Sequence, residues 1–367
     1  MKIPFVDLKA QYLRYEKEFG GAIQSVIENT AFIGGKPVKA FEADYERAYG
    51  VKHCVSVANG TDAIYIALKM LGVGPGDEVI TVANSWISTS ETIGQTGATT
   101  VFVDVDDYFG LDVSQIESRI TERTRAIIPV HLFGQPADVD AVEALCKKHK
   151  LHMIEDCAQA HLAECNGRRV GTIGNAGTFS FYPGKNLGAY GDAGALITND
   201  DELAERCTMF ARHGALVKHA HQMEGINSRL DGIQAALLSA KLPHLPTWTQ
   251  ERQAVAAHYD KALAGIDDLT LPQIRPGCTH VYHLYVVLTD QRNELRQYLS
   301  DHDVSTGIHY PTPLPLLPAY AQQGHSAADF PRAASNSKRM LSLPIFPEMT
   351  PDMVERVAEL IGQFFSR

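Results

Sequence analysis

The sequence of 367 residues is longer than one hydrophobic core usually supports, which predicts about two domains. Hydrophobic residues make up 45% and charged residues 21% of the chain, the balance of a folded protein rather than a disordered one. The formal net charge of −10, without any Lys/Arg-rich block, argues against nucleic acid and anionic membranes as partners.

The cysteines and the start of the chain bear on where the protein works. The 6 cysteines lie far apart with no C-x-x-C pair, so buried thiols are expected rather than a disulfide framework or a zinc site. Near the amino terminus an acid, Asp7, comes before any apolar run forms. No later run approaches the roughly 18 residues of a membrane-spanning helix. We therefore expect a cytoplasmic protein with no membrane segment and no metal site.

Short β-branched runs alternate with helical patterns between residues 54 and 200, which predicts βαβ units and a mostly parallel sheet. Strands are predicted at residues 55–58, 78–82, 99–104, 125–130, 151–155 and 193–198. Helices are predicted at residues 62–71, 138–149 and 201–212. These elements indicate a large three-layer α/β domain, which we place at residues 1–246.

After Asp231 the pattern changes to long helical periodicity, which Pro243 and Pro246 interrupt. A linker helix is expected at residues 250–263. Further elements are a strand at 282–288, a helix at 292–300, a Pro-rich stretch at 310–318 and a final helix from residue 351. They predict a smaller C-terminal α+β domain at residues 247–367.

A lysine, Lys185, lies in the segment 180–192, which is rich in glycine and aromatic residues and contains a proline. Such a segment has little helix or strand propensity, so a loop between two strands is predicted. Most loop lysines are solvated surface charges. A functional role for Lys185 therefore depends on what surrounds it.

Two other segments supply those surroundings. Asp156 follows an apolar strand at its carboxyl end, where open α/β sheets bind ligands, although an acid there can also cap a helix. Residues 58–62 form a small polar turn that opens a helix, and the free N–H groups of a helix start attract phosphate. The alternative for this turn is an ordinary Thr or Asp N-cap beside a turn glycine.

Together these segments resemble the DegT/DnrJ/EryC1/StrS sugar aminotransferases, within the fold type I group of pyridoxal-phosphate enzymes. The resemblance runs from the opening Ile-Pro-Phe-Val-Asp-Leu at residues 3–8 to the end of the chain. It is most specific at residues 156–159 and 180–192. It implies the type I aminotransferase fold and a pyridoxal 5′-phosphate cofactor.

The resemblance also implies a role for each matching residue. Lys185 would hold the cofactor as a Schiff base, Asp156 would pair with its pyridine nitrogen and Gln159 would lie near its phenolic oxygen. Trp86 would stack on the ring, although a core tryptophan is an equal alternative. The neighbouring subunit of a homodimer would complete the active site, so that the cofactor phosphate is held by Gly60, Thr61, Ser180 and, from that subunit, Asn227.

The sequence departs from the family in two places. Leu162 and Ala193 stand where its members usually have glycine. Leu162 is expected beside the wall of the cofactor site. This departure therefore bears on how a sugar is accommodated rather than on how the cofactor is attached.

The segment 307–314 resembles the small-domain segment of relatives that aminate a 3-keto sugar linked to a nucleoside diphosphate. The implied reaction moves an amino group from an amino acid, expected to be glutamate, to a dTDP-3-keto-6-deoxyhexose. The product would serve deoxyamino-sugar synthesis for O-antigen lipopolysaccharide, another surface polysaccharide or a glycoside. Candidate sugar contacts are His309, Tyr310 and Tyr182, and candidate diphosphate contacts are Arg212, His213 and Lys218.

Several alternatives remain open at this stage. The segment 307–314 could be a rigid Pro-rich loop with a packed histidine. The substrate could be a C4-keto sugar or a UDP-linked 3-keto sugar. Dehydration is disfavoured, because relatives that dehydrate carry histidine in place of Lys185. A regulatory protein that binds the ligands without turnover is disfavoured because binding alone needs no proton-transferring lysine.

Overall fold

A computed structural model of the protein describes residues 1–366. The helices are α1 Leu8–Arg14, α2 Glu16–Glu28, α3 Gly35–Tyr49, α4 Gly60–Met70, α5 Ser88–Thr96, α6 Val113–Ile116, α7 Val139–His149, α8 Asp201–Ala211, α9 Gly232–Lys241, α10 Leu245–Ala262, α11 Arg292–Asp301, α12 Pro331–Arg339 and α13 Pro351–Phe365. Within the described residues, none of them has the length and apolar character needed to cross a membrane.

The strands assemble into one large sheet and two small ones. They are β1 His53–Val57, β2 Glu78–Val82, β3 Thr99–Val103, β4 Thr124–Ile128, β5 His152–Asp156, β6 Glu164–Cys165, β7 Arg168–Arg169, β8 Ala176–Ser180, β9 Gly194–Thr198, β10 Tyr285–Leu288 and β11 Met340–Leu343. The 7-stranded sheet has the order β1-β9-β8-β5-β4-β2-β3.

Only β9 runs against the other strands of this sheet. The pairs β2–β3, β2–β4, β4–β5 and β5–β8 are parallel. β9 is antiparallel to both β8 and β1, so β1 points the same way as β8. The predicted mostly parallel sheet is confirmed. As a consequence, the carboxyl ends of β1, β2, β5 and β8 share one edge of the sheet.

Helices cover both faces of the large sheet, as a three-layer architecture requires. On one face α4 and α8 pack against β1 and β9 around Val57 and Leu196. On the other, α3 and α9 pack over β8 and β9 around Phe41 and Phe179. Residues of β2 and β9 are buried throughout, which matches their nearly continuous apolar sequences. The predicted three-layer α/β domain is confirmed.

The C-terminal part has its own core, in which α10, α11 and α13 pack around the antiparallel pair β10–β11. Helix α10 begins at Leu245, earlier than predicted, because Pro246 lies in its first turn, where a missing N–H costs nothing. At the amino end of the chain, Ile3 forms a parallel bridge to Val304 and packs into this core. The division at residues 246 and 247 stays a prediction.

Candidate active site

The carboxyl edge of the large sheet borders a cavity of about 550 Å³. Of the fourteen candidate site residues predicted from the sequence, ten line it: Gly60, Thr61, Trp86, Asp156, Gln159, Ser180, Tyr182, Lys185, His309 and Tyr310. The large domain supplies most of the wall, and residues 252, 283–284, 309–310 and 345 close it from the C-terminal part. Segments that are far apart in the sequence therefore meet here, although the roles of their side chains stay predictions.

Helix α4 begins at the cavity wall. Its cap is Asn59, whose side-chain oxygen accepts a 2.8 Å hydrogen bond from the N–H of Asp62. The suggested Thr or Asp cap is therefore wrong, since the Thr61 hydroxyl hydrogen-bonds to Ser88 at 2.7 Å and Asp62 supplies the capped N–H. The first turn of α4 consequently presents free N–H groups and its positive dipole end at the cavity.

Gly60 lies unusually close to the end of β8. A Cβ atom added at position 60 would lie 2.7 Å from the Cβ of Ser180. A Cβ at Gly194, the residue that pairs with Ser180, would lie 2.3 Å from the backbone of Asn59. Side chains at these two positions would push the α4 turn away from the sheet. The two glycines therefore allow the first turn of α4 to lie close to the end of β8. We call this first turn the α4 cradle.

Asp156 ends β5 and is 6% exposed. One carboxylate oxygen, Oδ2, accepts a 2.8 Å hydrogen bond from the hydroxyl of Thr89. The other, Oδ1, accepts one from the N–H of Ala158 at 3.2 Å. The residues after Asp156 form turns rather than a helix. The sequence-based alternative of a helix cap is therefore wrong, and the carboxylate is held at the cavity by two donors.

The preceding acid, Glu155, is fully buried and faces away from the cavity. Its carboxylate accepts hydrogen bonds from the N–H groups of Gly171, Ile173 and Gly174, each at 2.8 Å. The Nδ1 atom of His131 accepts a hydrogen bond from the N–H of Ala137, so the proton of the ring is on Nε2. Nε2 donates this proton to the Glu155 carboxylate at 3.2 Å. The carboxylate is saturated with donors. Although His131, Glu155 and Cys157 lie within 4.8 Å of one another, this group is accounted for as internal hydrogen bonding.

Lys185 lies in the loop between β8 and β9, as predicted. Its N–H donates to the carbonyl of Tyr182 at 2.8 Å, and the buried Lys241 donates from Nζ to the carbonyl of Gly188 at 2.7 Å. Burial lowers the pKa of the Lys185 amine to about 8, and the nearby Asp156 carboxylate acts in the opposite direction. The two predicted catalytic groups are thus close enough to interact across one cavity.

Gln159 is fixed at both ends of its amide group. Its oxygen accepts from the N–H of Phe133 at 2.7 Å, and its nitrogen donates to the hydroxyl of Tyr310 at 3.1 Å. Trp86 is 58% exposed and lies 5.8 Å from the Tyr310 ring, centroid to centroid. The alternative of a core tryptophan is therefore wrong, and the indole face is available at the cavity mouth. Tyr182, 59% exposed, is a second available aromatic.

His309 combines a packed ring with a cavity position. The ring stacks on Phe5 with centroids 5.7 Å apart, and Nδ1 lies 2.8 Å from the hydroxyl of Ser342. Burial and, to a lesser extent, the charge of Lys185 together lower the pKa of His309 to about 4. His309 is therefore uncharged near pH 7 and is suited to hydrogen bonding rather than to binding an anion.

Two basic residues of the cavity were not predicted from the sequence. Arg252, on α10, is 4% exposed and donates from one guanidinium nitrogen to the carbonyls of Tyr282 and Ile345, at 3.1 and 2.9 Å. His283 lies beside Lys185, and burial followed by the Lys185 charge lowers its pKa well below the usual value. An arginine in a long polar helix and a histidine before a strand carry no local motif, so only the tertiary fold identifies them.

The candidate diphosphate contacts Arg212, His213 and Lys218 do not line the cavity of their own chain. All three are exposed, and Arg212 forms a weak ion pair with Glu42 at 4.0 Å. Asn227 is also exposed, outside the cavity, in an isolated bridge with Arg212. This position agrees with the prediction that Asn227 serves a neighbouring subunit, and it leaves that prediction untested.

The two departures from family glycines have different structural meanings. Leu162 has a φ of 63°, a left-handed conformation that glycine adopts more easily. Its N–H donates to the hydroxyl of Tyr49 at 2.9 Å, and its side chain packs on the core between α3 and β8. The expectation that Leu162 borders the cofactor wall is wrong. Ala193 is buried and accepts a backbone hydrogen bond from Phe181.

The sequence as a whole matches one family model, that of the DegT/DnrJ/EryC1/StrS aminotransferase family, over residues 14–362. The chain belongs to this family. It is therefore an aminotransferase, and its cofactor is pyridoxal phosphate.

Relatives with different descriptions are similar over nearly the whole chain. A pleiotropic regulatory protein of Geobacillus stearothermophilus is 45% identical, covering 100% of this chain and 99% of the relative. The dTDP-3-amino-3,4,6-trideoxy-alpha-D-glucose transaminase of Streptomyces venezuelae is 43% identical, covering 100% and 97%. The UDP-N-acetyl-3-dehydro-alpha-D-glucosamine 3-aminotransferase of Acidithiobacillus ferrooxidans is 41% identical, covering 98% and 97%.

Among solved structures, S. venezuelae DesV in complex with a ketimine intermediate superposes with a TM-score of 0.97. Its sequence is 43% identical, and the match covers 100% of this chain and 99% of DesV. The predicted type I aminotransferase fold is confirmed by this agreement.

The residues around the cavity fit the family cofactor chemically. Lys185 offers an amine whose pKa is lowered to about 8, close to the range in which it can bond to an aldehyde. The start of α4, which Gly60 allows to lie close to β8, offers N–H donors suited to a phosphate. Asp156 offers an acid held by Thr89 in the same cavity. Nothing in this set of donors and acceptors conflicts with pyridoxal phosphate.

Proposed function

We propose that this aminotransferase moves an amino group from an amino acid to the keto carbon of a nucleotide-linked sugar. The observation that carries the proposal is the meeting of Lys185 and Asp156 in one cavity of about 550 Å³. That volume is within the range of pockets that hold cofactor-sized and drug-sized molecules. The relatives named as sugar transaminases support the substrate class.

Lys185 and Asp156 are the proposed catalytic residues. Bound pyridoxal phosphate supplies the electron sink that allows a C–H bond beside the amino group to lose its proton. Lys185 Nζ, once free, takes that proton and returns it in both halves of the reaction. Asp156 holds a proton at the pyridine nitrogen, and the donors Thr89 and Ala158 keep its carboxylate in place for this task.

The other cofactor contacts follow from position. The N–H groups at Gly60 and Thr61, together with the Ser180 hydroxyl, surround the proposed phosphate site at the start of α4. Trp86 would stack on the ring through its exposed indole face. Gln159, whose amide is fixed by Phe133 and Tyr310, would lie near the phenolic oxygen of the cofactor.

For the acceptor we propose dTDP-3-keto-6-deoxyhexose, with glutamate as donor. The likeness of segment 307–314 to 3-keto-sugar enzymes supports this choice, as does the dTDP-sugar transaminase of S. venezuelae. Sugar contacts are assigned to His309, Tyr310 and Tyr182, which line the cavity. The product would enter deoxyamino-sugar synthesis for a surface polysaccharide, such as lipopolysaccharide, or for a glycoside, in the cytoplasm.

One alternative acceptor has an observation in its favour, the UDP-linked 3-keto sugar named for the A. ferrooxidans relative. A C4-keto sugar has none beyond the shared fold. A regulatory role has the name of the G. stearothermophilus relative behind it. The complete set of Lys185, Asp156 and the α4 cradle favours catalysis over that role, because ligand binding alone requires no buried amine with a lowered pKa.

Two steps test the reaction. The pyridoxal-phosphate-loaded protein is mixed with glutamate, and conversion of the visible band to that of the pyridoxamine form is followed together with 2-oxoglutarate release. Adding dTDP-3-keto, dTDP-4-keto and UDP-3-keto sugars separately then identifies the acceptor by the mass of the amino sugar. An unchanged band with every amino donor contradicts transamination. Saturable sugar binding without amine transfer favours the regulatory role.

We also propose a homodimer in which Asn227 of the partner subunit completes the phosphate site. Its exposed position outside its own cavity supports this arrangement. Mixing Lys185→Ala and Asn227→Ala dimers tests it, because each mixed dimer would contain one site with both native residues. Activity that rises on mixing supports the shared site. Activity that stays at the level of the separate variants contradicts it.

A further inference from the structure

Two cysteines that are far apart in sequence face each other on neighbouring chain segments. Cys165, in β6, forms an isolated antiparallel bridge with Cys278. The flanking hydrogen bonds run from the N–H of Asn166 to Gly277 and from the N–H of Thr279 to Glu164, both at 2.8 Å. Because these bonds flank the pair, Cys165 and Cys278 are a non-hydrogen-bonded pair of an antiparallel ladder.

This type of pair has the geometry that a disulfide needs. Residues in non-hydrogen-bonded pairs have Cα atoms about 4.5 Å apart and side chains on the same face. Disulfides span Cα separations of about 4.4 to 6.8 Å. The backbone therefore already holds Cys165 and Cys278 at bonding separation, and no movement of either segment is required.

The thiols differ in access. Cys165 is 4% exposed, whereas Cys278 is only partly buried, so an external reagent reaches Cys278 first. Burial and, to a lesser extent, the adjoining Cys165 side chain together raise the pKa of Cys278 to about 12. Exchange is consequently slow at neutral pH and accelerates as the pH rises, since the thiolate is the attacking form.

We propose that Cys165 and Cys278 are a modification site, a dithiol that forms a reversible disulfide by exchange with a small disulfide such as oxidised glutathione. The Cys278 thiol loses its proton and its sulfur attacks one glutathione sulfur. The glutathione S–S bond breaks, and the released glutathione takes up a proton. Cys165, after losing its own proton, then attacks the Cys278 sulfur and releases the second glutathione. Two protein thiols are oxidised to one disulfide while one glutathione disulfide is reduced to two thiols.

The crosslink would join two segments that lead to the active site without entering it. Cys165 follows the segment that carries Asp156 and Gln159, and Cys278 precedes Val281, whose carbonyl accepts from the Asn186 side chain at 2.9 Å. Neither cysteine lines the cavity. The closed loop is long, so the oxidised protein should resist unfolding better than the reduced one.

The test uses the cofactor-loaded protein incubated with oxidised glutathione at mildly alkaline pH, followed by alkylation of free thiols and tryptic digestion. We expect a peptide pair linked between Cys165 and Cys278 that disappears with dithiothreitol. Tandem mass spectrometry must locate the link, because Cys157 shares the tryptic peptide of Cys165. We also expect a higher midpoint of urea unfolding in the oxidised sample.

Variants separate this site from the other thiols. Cys278→Ser, or Cys165→Ala if the first folds poorly, should abolish both the linked peptide and the midpoint shift. Cys146→Ser removes a buried thiol elsewhere and should leave both unchanged. Recovery of Cys165 and Cys278 as alkylated thiols after oxidation overturns the proposal, and so does glutathione retained on Cys278 without a link to Cys165.

Discussion

The hydroxyl of Thr89, in the first turn of α5, donates a 2.8 Å hydrogen bond to Oδ2 of Asp156. Both side chains are buried. The Thr89 oxygen is also 2.9 Å from the hydroxyl of Ser85, and since Thr89 gives its proton to Asp156, Ser85 donates to Thr89. A helix that carried no motif in the sequence therefore orients the proposed catalytic acid through a chain of two hydroxyls.

Thr89→Val tests this chain of hydrogen bonds, because valine keeps the shape and removes the hydroxyl. Loss of a buried hydrogen bond to a charged group should lower the free energy of unfolding by about 2 kcal/mol. Without this hydrogen bond the Asp156 carboxylate is less firmly positioned, so kcat should also fall. Urea unfolding and steady-state kinetics measure the two effects. Thr92→Val, whose hydroxyl bonds to the Ser88 carbonyl at 2.8 Å, is the matched control and should keep full activity. Equal kcat values for the two variants would count against the role of Thr89.

The lowered pKa of Lys185 predicts how cofactor uptake depends on pH. With a pKa of about 8, about one amine in ten is neutral at pH 7, compared with roughly one in three thousand for an ordinary lysine. The neutral amine is the form that bonds to an aldehyde. The rate at which cofactor-free protein takes up pyridoxal phosphate should thus rise about tenfold from pH 7 and level off above pH 8 to 9. A rate still rising steeply near pH 10 would indicate an unperturbed lysine.

The same group should make the stability of the cofactor-free protein depend on pH. The folded pKa of about 8 is below the unfolded value of 10.5, so folding releases a proton between these pH values. The stability contributed by Lys185 therefore rises from about pH 8 towards 10.5 and is lowest below 8, where the buried amine is charged. Lys185→Met should be more stable than the native chain at pH 7, with a difference that narrows above pH 8. Urea midpoints across this range measure the narrowing, and a constant difference contradicts it.

Much of the large domain could be predicted from the sequence, because its strands are continuous apolar runs and its helices have caps. Every predicted strand and helix between 54 and 212 lies within two residues of an observed one. Strand β8 was missed because it contains Gly177, a weak strand former. The structure explains this glycine, since a Cβ there would lie 2.3 Å from the Cα of Gly171. Close backbone approach of this kind cannot be read from a single segment.

The residues of the candidate site also fall into two groups, those that a local sequence motif identifies and those that only the tertiary fold identifies. Lys185, Asp156 and the α4 turn belong to local motifs and were predicted. Thr89 and Arg252 reach the cavity region from helices whose sequences look ordinary, so their positions depend on tertiary packing. Leu162 is a residue that was wrongly predicted to lie at the site. Its closeness in sequence to Gln159 suggested a place beside the cavity, but its left-handed backbone directs the side chain into the core.

Gly60→Ala should weaken cofactor binding. The added Cβ would lie 2.7 Å from the Cβ of Ser180, so the start of α4 must move away from β8 and its N–H groups with it. An increase of about tenfold or more in the Kd for pyridoxal phosphate corresponds to the loss of about 1.4 kcal/mol. Gly94→Ala in α5 is the control, since it meets nothing within 4 Å and should be neutral or slightly stabilising. A Kd for Gly60→Ala that equals the native value contradicts the proposed cradle.

Glu155→Gln should destabilise the protein although it conserves size. Both carboxylate oxygens accept hydrogen bonds, from His131 and from the N–H groups of residues 171, 173 and 174. In the variant, the NH₂ group of the glutamine would replace one of these oxygens and would face a donor instead of an acceptor. We expect a loss of about 3 kcal/mol in the free energy of unfolding, as for a buried group left without its partner. Glu164→Gln, which breaks only a surface pair with Arg169, should change the free energy of unfolding by less than about 1 kcal/mol.

A chelator should leave the midpoint of urea unfolding of the native protein unchanged, because these contacts hold Glu155 without a metal. A fall in the midpoint with chelator would instead identify His131, Glu155 and Cys157 as metal ligands.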